Sequence, residues 1–267
     1  MPEKPAAEEF MAEQPLLLAD LSWPEVRDIL PQVGIVLIPV GSLEQHGPNI
    51  AEQSDHRLAF EVSKRVSARL YPRVLVTPPI PFGVSHHHMR FPGTITLEPE
   101  TFIAVLRDVV KSLARHGLKR FLFVNGHGGN EATLGVAVVK IQEEVPVEFL
   151  GSCSYWRLAD DLLRERLGDR LYGHACEFET SVALALAPEI VKTGALARGK
   201  FRERAVELRE RARRYGITIA PYFDELTANG VFGDGTQASA EFGQEVVERV
   251  VGRLCEFIEY VLSRPKD

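Results

Sequence analysis

Apolar residues along this chain follow two rhythms. Short unbroken runs bounded by turn residues recur at "GIVLIPVG" (34–41), "RVLVTPP" (73–79), "KRFLFVNG" (119–126) and "VEFLGSC" (147–153). Runs of that length, rich in β-branched and aromatic side chains, read as strands buried on both faces. Between them the spacing becomes helical. In "TFIAVLRDVVKSLARHG", Phe102, Val105, Leu106, Val109, Val110 and Leu113 repeat at i, i+3, i+4 and i+7, and Gly117 supplies a C-terminal cap. Residues 54–70 and 130–144 carry the same pattern. A final helix is predicted over 237–263, packed on the sheet through Phe242, Val246, Val250, Leu254, Ile258 and Val261. Strands alternating with helices predict an α/β fold, a mostly parallel sheet covered on both faces. No repeat, linker or break in composition interrupts the pattern, which predicts one domain over 1–267 with residues 1–15 as a loose tail.

Composition narrows the class. With 45% hydrophobic and 25% charged residues, 31 basic against 37 acidic, the chain is that of an ordinary, mildly acidic globular protein, and neither nucleic acid nor an anionic membrane is its expected partner. The arginine-rich "FRERAVELRERARRYG" interleaves glutamates at helical neighbour spacing, which predicts a solvated, ion-paired helix. No apolar run reaches membrane-spanning length, and "MPEKPAAEEFMAEQP" has neither a basic start nor an apolar signal core, so a cytoplasmic protein is expected. Cys153, Cys176 and Cys255 lie too far apart for a thiolate metal site and are expected to be reduced thiols. Any metal would be held by histidine and carboxylate.

Such residues gather where strands end. In parallel α/β sheets ligands bind beyond the carboxyl ends of the strands. "GSLEQHG" follows one predicted strand and "NGHGGN" another, so Glu44, His46 and His127 are expected on one sheet edge. Asp55 follows eleven residues after Glu44 at a helix start, with Ser54 as its cap. "YGHACEFETS" adds His174, Glu177 and Glu179. Carboxylates and imidazoles without thiolates suit Zn²⁺, Mn²⁺ or Fe²⁺. A pair of such ions about 3.5–4 Å apart, sharing a carboxylate, generates hydroxide near neutral pH and polarises a carbonyl. Taken singly, "GHGG" also reads as a turn or a phosphate-cradling nest, and "ETS" as a helix start. In "GVSHHHMRFPGTITL", His86, His87 and His88 point apart in extended chain, so at most one, His88, is expected at the site, touching substrate. A Cys176 nucleophile with His174 as base lacks a positioning partner.

The ordered segments "PVGSLEQHGP" with its Asp55, "FPGTITL", "NGHGGN", "HACEFETS" and "GVFGDGTQASAEFG" resemble those of the creatininase (creatinine amidohydrolase) family, from about residue 35 to 245. The resemblance implies a three-layer α/β/α fold, assembly as a homohexamer, and hydrolysis of small non-peptide C–N bonds with two divalent ions, typically zinc and manganese. It implies that Glu44 and His127 hold one ion, His46 the other, and that Asp55 bridges them. Glu179 falls in the metal pocket and His174 matches the histidine proposed to shuttle protons. Creatininase carries a glutamate where this chain has Gly129, and Glu177 is the natural candidate for the missing carboxylate, so Glu177 or Glu179 is expected to complete the second site and His174 and Glu177 are the expected catalytic residues. Trp156 resembles one of two substrate-facing tryptophans; the other has no counterpart, which argues against creatinine itself. Asn49 and Gly235 stand where relatives often carry histidine and proline.

The expected activity is therefore metal-dependent hydrolysis of a small amide, formamide or cyclic amide. Family members that trim a peptide precursor or open an oxidised inositol ring supply alternatives, and a non-catalytic phosphate-binding or structural metal protein is the alternative of another class.

Overall fold

The computed structural model describes residues 14–264, so all but the last two residues of the predicted tail lie outside the described part. One parallel sheet runs in the order β1-β3-β2-β4-β5, comprising β1 (Leu16–Leu17), β2 (Ile35–Val40), β3 (Val74–Val76), β4 (Arg120–Asn125) and β5 (Phe149–Ser154). The crossovers carry α2 (Ser54–Arg69), α3 (Pro99–Arg115) and α4 (Glu131–Glu144), each within two residues of the bounds its periodicity predicts. The short α1 (Trp23–Ile29) precedes β2, and α5 (Asp160–Leu167), α6 (Glu177–Leu186), α7 (Glu203–Arg214), α8 (Phe223–Leu226) and α9 (Ala240–Ser263) follow β5.

Strand alternation divides the core into two layers. Ile35 and Leu37 of β2 join Leu58, Val62 and Val66 of α2 and Val246, Val250 and Leu254 of α9 on one face. Val36, Ile38 and Val40 meet Phe102, Leu106 and Val110 of α3 and Leu134, Ala137 and Ile141 of α4 on the other. Every residue of β2 is buried, as a central parallel strand requires. Each such side chain contributes about 1.5–3 kcal/mol by leaving water. The result is the expected three-layer α/β/α arrangement.

Three local readings change. The strand β5 lies at the sheet edge, so Ser152 is exposed where burial on both faces is predicted from the apolar run. β1 is only two residues long, too short for periodicity to mark. Ser54 lies inside the first turn of α2, capped by Gln53, and its Oγ is buried without a partner. For the site, one register matters most: Val40 faces Asn125 across β2 and β4 at the middle of the sheet, so the loops after these two strands open side by side.

Candidate metal centre

Two glycines seat the central carboxylate. A β-carbon on Gly41 would lie 2.2 Å from the His56 amide nitrogen, and one on Gly126 2.1 Å from the Asp55 carbonyl oxygen. Only glycine lets the first turn of α2 rest this closely on the ends of β2 and β4. Asp55 is thereby held between the two loops, with 2% of its surface exposed.

Its two oxygens face different partners. Asp55 Oδ1 lies 3.1 Å from His46 Nε2, which is also 3.5 Å from Glu179 Oε1. Asp55 Oδ2 lies 3.2 Å from His127 Nδ1, which is also 3.2 Å from Glu44 Oε1. Each imidazole is oriented by its other nitrogen. His46 Nδ1–H donates to the Glu44 carbonyl at 3.0 Å, and His127 Nε2–H to the Val84 carbonyl at 3.1 Å. These bonds select tautomers whose remaining lone pairs point at the carboxylates, the arrangement that metal-ligating histidines adopt.

The arrangement is incomplete without a cation. His46 Nε2 and Asp55 Oδ2 are buried and have no hydrogen-bond partner, although carboxylate and imidazole stand within about 3 Å. Burial pushes Glu44 above the usual carboxylate range. Burial opposes charge on His46 as well, but Glu179 and Asp55 outweigh it and hold that imidazole well above its ordinary pKa. The same contest at His127 is won by Glu44 and Asp55. Asp55, despite burial, is held low by His46 and His127. Protons on the imidazoles thus stand where divalent ions would neutralise three buried acids. Ligand atoms of His46, Asp55 and Glu179 lie within 4.8 Å of one another, as do those of Glu44, His46 and His174 and those of Glu44, His87 and His127. An oxygen and nitrogen donor set of this kind fits Zn²⁺, Mn²⁺ or Fe²⁺.

Around the donors lies a supporting layer. Ser85 Oγ donates to Glu44 Oε2 at 2.6 Å. Asn130 ties three segments together: its Nδ2 donates to the Gly41 carbonyl and to Asn125 Oδ1, and its Oδ1 accepts the Val84 amide. Asn125 in turn brackets His127, accepting its N–H and donating to its carbonyl. These bonds give both asparagines of "NGHGGN" positioning roles. Asn49 and Gly235 prove to be neighbours. Asn49 joins the Ala175 and Ala197 carbonyls and the Ala197 amide, and a β-carbon on Gly235 would lie 2.2 Å from its Nδ2.

His174 faces the same cluster. Its Nε2–H donates to the Gln45 carbonyl at 2.6 Å, leaving Nδ1 open 3.7 Å from Glu44 Oε1. Burial, reinforced by His46, keeps it neutral, its pKa well below the usual value. His88 is likewise buried and held low; it accepts from Gln45 Nε2 at 2.8 Å and stacks on Phe223 of α8 at 4.3 Å.

Three expectations need correcting. Both His87 and His88 reach the cluster, because residues 86–88 form a 3₁₀ turn, whose neighbours are about 120° apart rather than opposed. His86 alone points outward, and His87 stacks on His127 at 5.6 Å. Glu177 does not join the site; it pairs with Arg170 at 2.7 Å. It lies two residues before Glu179 on α6, about 200° around the helix axis, so when one faces the donors the other faces away. Nor is there room for the glutamate of creatininase: a β-carbon on Gly129 would lie 2.4 Å from His127 Nε2 and from the Val84 carbonyl oxygen, and 2.7 Å from His87 Cε1. Trp156, expected to face substrate, packs edge-on against Tyr155 and on the apolar core cluster. Ser85, Gln45, Asn130 and Phe223 join the site as well; the first three stand inside the quoted motifs, whereas Phe223 carries no local signal.

The sequence profile of the creatinine amidohydrolase family matches residues 19–258. The mycofactocin precursor peptide peptidase of Mycobacterium ulcerans (strain Agy99) is 35% identical over 223 residues, 81% of either chain. The 3-dehydro-scyllo-inosose hydrolase of Thermotoga maritima is 29% identical over 260 residues, covering 91% of this chain and 83% of that one. A solved manganese form of creatininase superposes with a TM-score of 0.78 at 25% identity, covering 94% of this chain and 100% of the other. Since the matched span takes in both layers of the sheet and every donor around Asp55, this chain belongs to the creatininase family of hydrolases.

Proposed function

We propose that the chain is a dinuclear metal-dependent amidohydrolase that cuts an amide C–N bond in a small linear or cyclic substrate. The observation that carries this reading is the division of Asp55 between two donor sets, His46 with Glu179 on one side and His127 with Glu44 on the other. When bound there, zinc or manganese supplies activated water near neutral pH and polarisation of the scissile carbonyl. The chain's own residues do the rest. His46, His127 and the three acids hold the ions, and Asn125 and Ser85 fix the angles of His127 and Glu44. His174, neutral and anchored through Nε2, takes up a proton at Nδ1 and delivers it to the departing nitrogen. Phe223, His88 and Gln45 pack together beside the donors, where they would shield the reacting groups from bulk water.

A second reading, removal of residues from the end of a peptide, is favoured by the 35% identity to the peptide peptidase. A single hydrolase domain working as a cytoplasmic homohexamer belongs to the same proposal, and light scattering tests the assembly. The central test is Asp55→Ala. Elemental analysis of this variant should show both ions lost and turnover of small amides, lactams and short peptides abolished, with the circular dichroism of the parent. A variant that keeps both ions and its activity sinks the scheme.

A further inference from the structure

The helix α7 does not behave wholly as a solvated, ion-paired element. Its inward face follows helical spacing through Ala205, Val206, Arg209 and Ala212, so an arginine stands where the pattern calls for an apolar residue. Two other arginines of the helix follow the expected pattern, Arg211 pairing with Glu207 at 2.7 Å and Arg213 with Glu210 at 3.8 Å. Arg209 instead lays its guanidinium over the Phe232 ring, 4.5 Å from the centroid, with 35% of its side chain exposed. Phe232 lies against the site: its backbone exchanges hydrogen bonds of 2.9 and 3.3 Å with that of His174, and its ring is 6.3 Å from Phe223, which stacks on His88. Among the described residues the anionic contact of Arg209 is Glu210, its neighbour in sequence, met through Nη1 alone at 3.2 Å. A planar fork of donors is thus held by an aromatic ring whose backbone pairs with that of His174, with most of its N–H groups uncommitted among the described residues.

We propose that Arg209 binds a carboxylate of the substrate, so that the amide cut at this site carries a free acid group on the side facing α7. One guanidinium balances one negative charge and matches a carboxylate in two parallel hydrogen bonds, whereas a phosphate dianion would call for donors beyond those that Phe232 and Glu210 leave around it. Binding energy collected there, remote from the scissile bond, serves to hold the carbonyl over the donors of the site. The same chemistry is presented by a small cyclic amino acid amide and by the carboxyl end of a peptide.

The proposal rests on the hydrolase reading only in its kinetic arm. Matched pairs serve as probes: pyroglutamate with 2-pyrrolidinone for the cyclic source, and N-acetylglycine with N-acetylglycinamide for the linear one. Calorimetric binding to the metal-loaded protein should favour the acid of at least one pair by about tenfold to a hundredfold. Arg209→Gln should erase that preference, and Arg209→Lys should restore part of it, all at the parent's melting temperature. Where a pair is turned over, Arg209→Gln should raise KM for the acid to the level of its neutral twin, with kcat little moved. Absence of turnover with the binding preference intact would count against the hydrolase reading and leave the anion site standing. Equal binding within both pairs, an acid preference that survives Arg209→Gln, or a loss confined to kcat overturns the assignment.

Discussion

His174 commits one ring nitrogen to the Gln45 carbonyl and leaves the other facing Glu44, free to carry a proton in the proposed reaction. If it acts as that proton carrier, His174→Ala should retain its metal by elemental analysis and lose about 10²- to 10⁴-fold in kcat; an unchanged rate, or loss of metal, would remove its role. The thiols are built for the opposite, inertness. Burial pushes Cys153 and Cys176 up to about 12 and Cys255 up to about 11. At pH 8 they stay protonated, so native-state alkylation should be slow at all three and slowest at the fully buried Cys176, and fast native labelling of Cys176 would contradict this. The sign for stability follows: the native state keeps protons that the unfolded chain releases near 9, so stability is full below that pH and falls as pH climbs from there toward 12. At this scale most donors were legible before any coordinates. Glu44, His46, Asp55 and His127 sit directly beyond apolar runs or at a helix start, and a strand can place such residues only at its end. His87 is the exception, because its place beside His127 depends on a 3₁₀ turn that three successive histidines do not announce.

The choice between Glu177 and Glu179 belongs to the helix that carries them. Sequence places both at the start of α6 but does not give the rotation of that helix about its axis, which is set by Val182 and Ala183 packing into the core and by α9 closing over its far side. With this phase Glu179 faces His46, while the Ala175 amide holds its second oxygen, and Glu177 turns to Arg170. Glu179→Gln should then lower metal content at the His46 side and depress turnover. Glu177→Gln should leave metal content intact and cost no more than about 1–2 kcal/mol in chemical denaturation, because its partner Arg170 keeps 51% of its side chain exposed. The reverse pattern of metal loss would mean that the helix sits in the other phase. The long helices were readable for the same reason that their phase was not: periodicity reports that one face is buried, and for α2, α3 and α9 the apolar stripe also says which one. In α6 apolar residues fall on every side and Glu177 through Ala183 are all buried, so no stripe gives the phase, and α8, four residues long, has no stripe at all.

At the scale of the whole molecule the question is whether metal holds the fold or only works on it. The two apolar layers on either side of the sheet contain none of Glu44, His46, Asp55, His127 or Glu179, and the site rests on their upper edge at the ends of β2 and β4. A fold carried by those layers should survive removal of the ions, unlike a small domain whose core is the metal itself. Ions bound at a hundred to a thousand times their dissociation constant nevertheless stabilise by about 3–4 kcal/mol. For a chain of this size that corresponds to a fall in melting temperature of roughly 5–15 °C on chelation. Circular dichroism melts with and without chelator should show this shift, a cooperative transition in both states, and recovery when zinc or manganese is returned along with activity. Collapse to an unfolded chain at 25 °C on chelation would instead assign the ions a structural part. That result would also explain why β1 and β3 can be as short as two and three residues: the sheet would be held at its catalytic edge rather than through its layers.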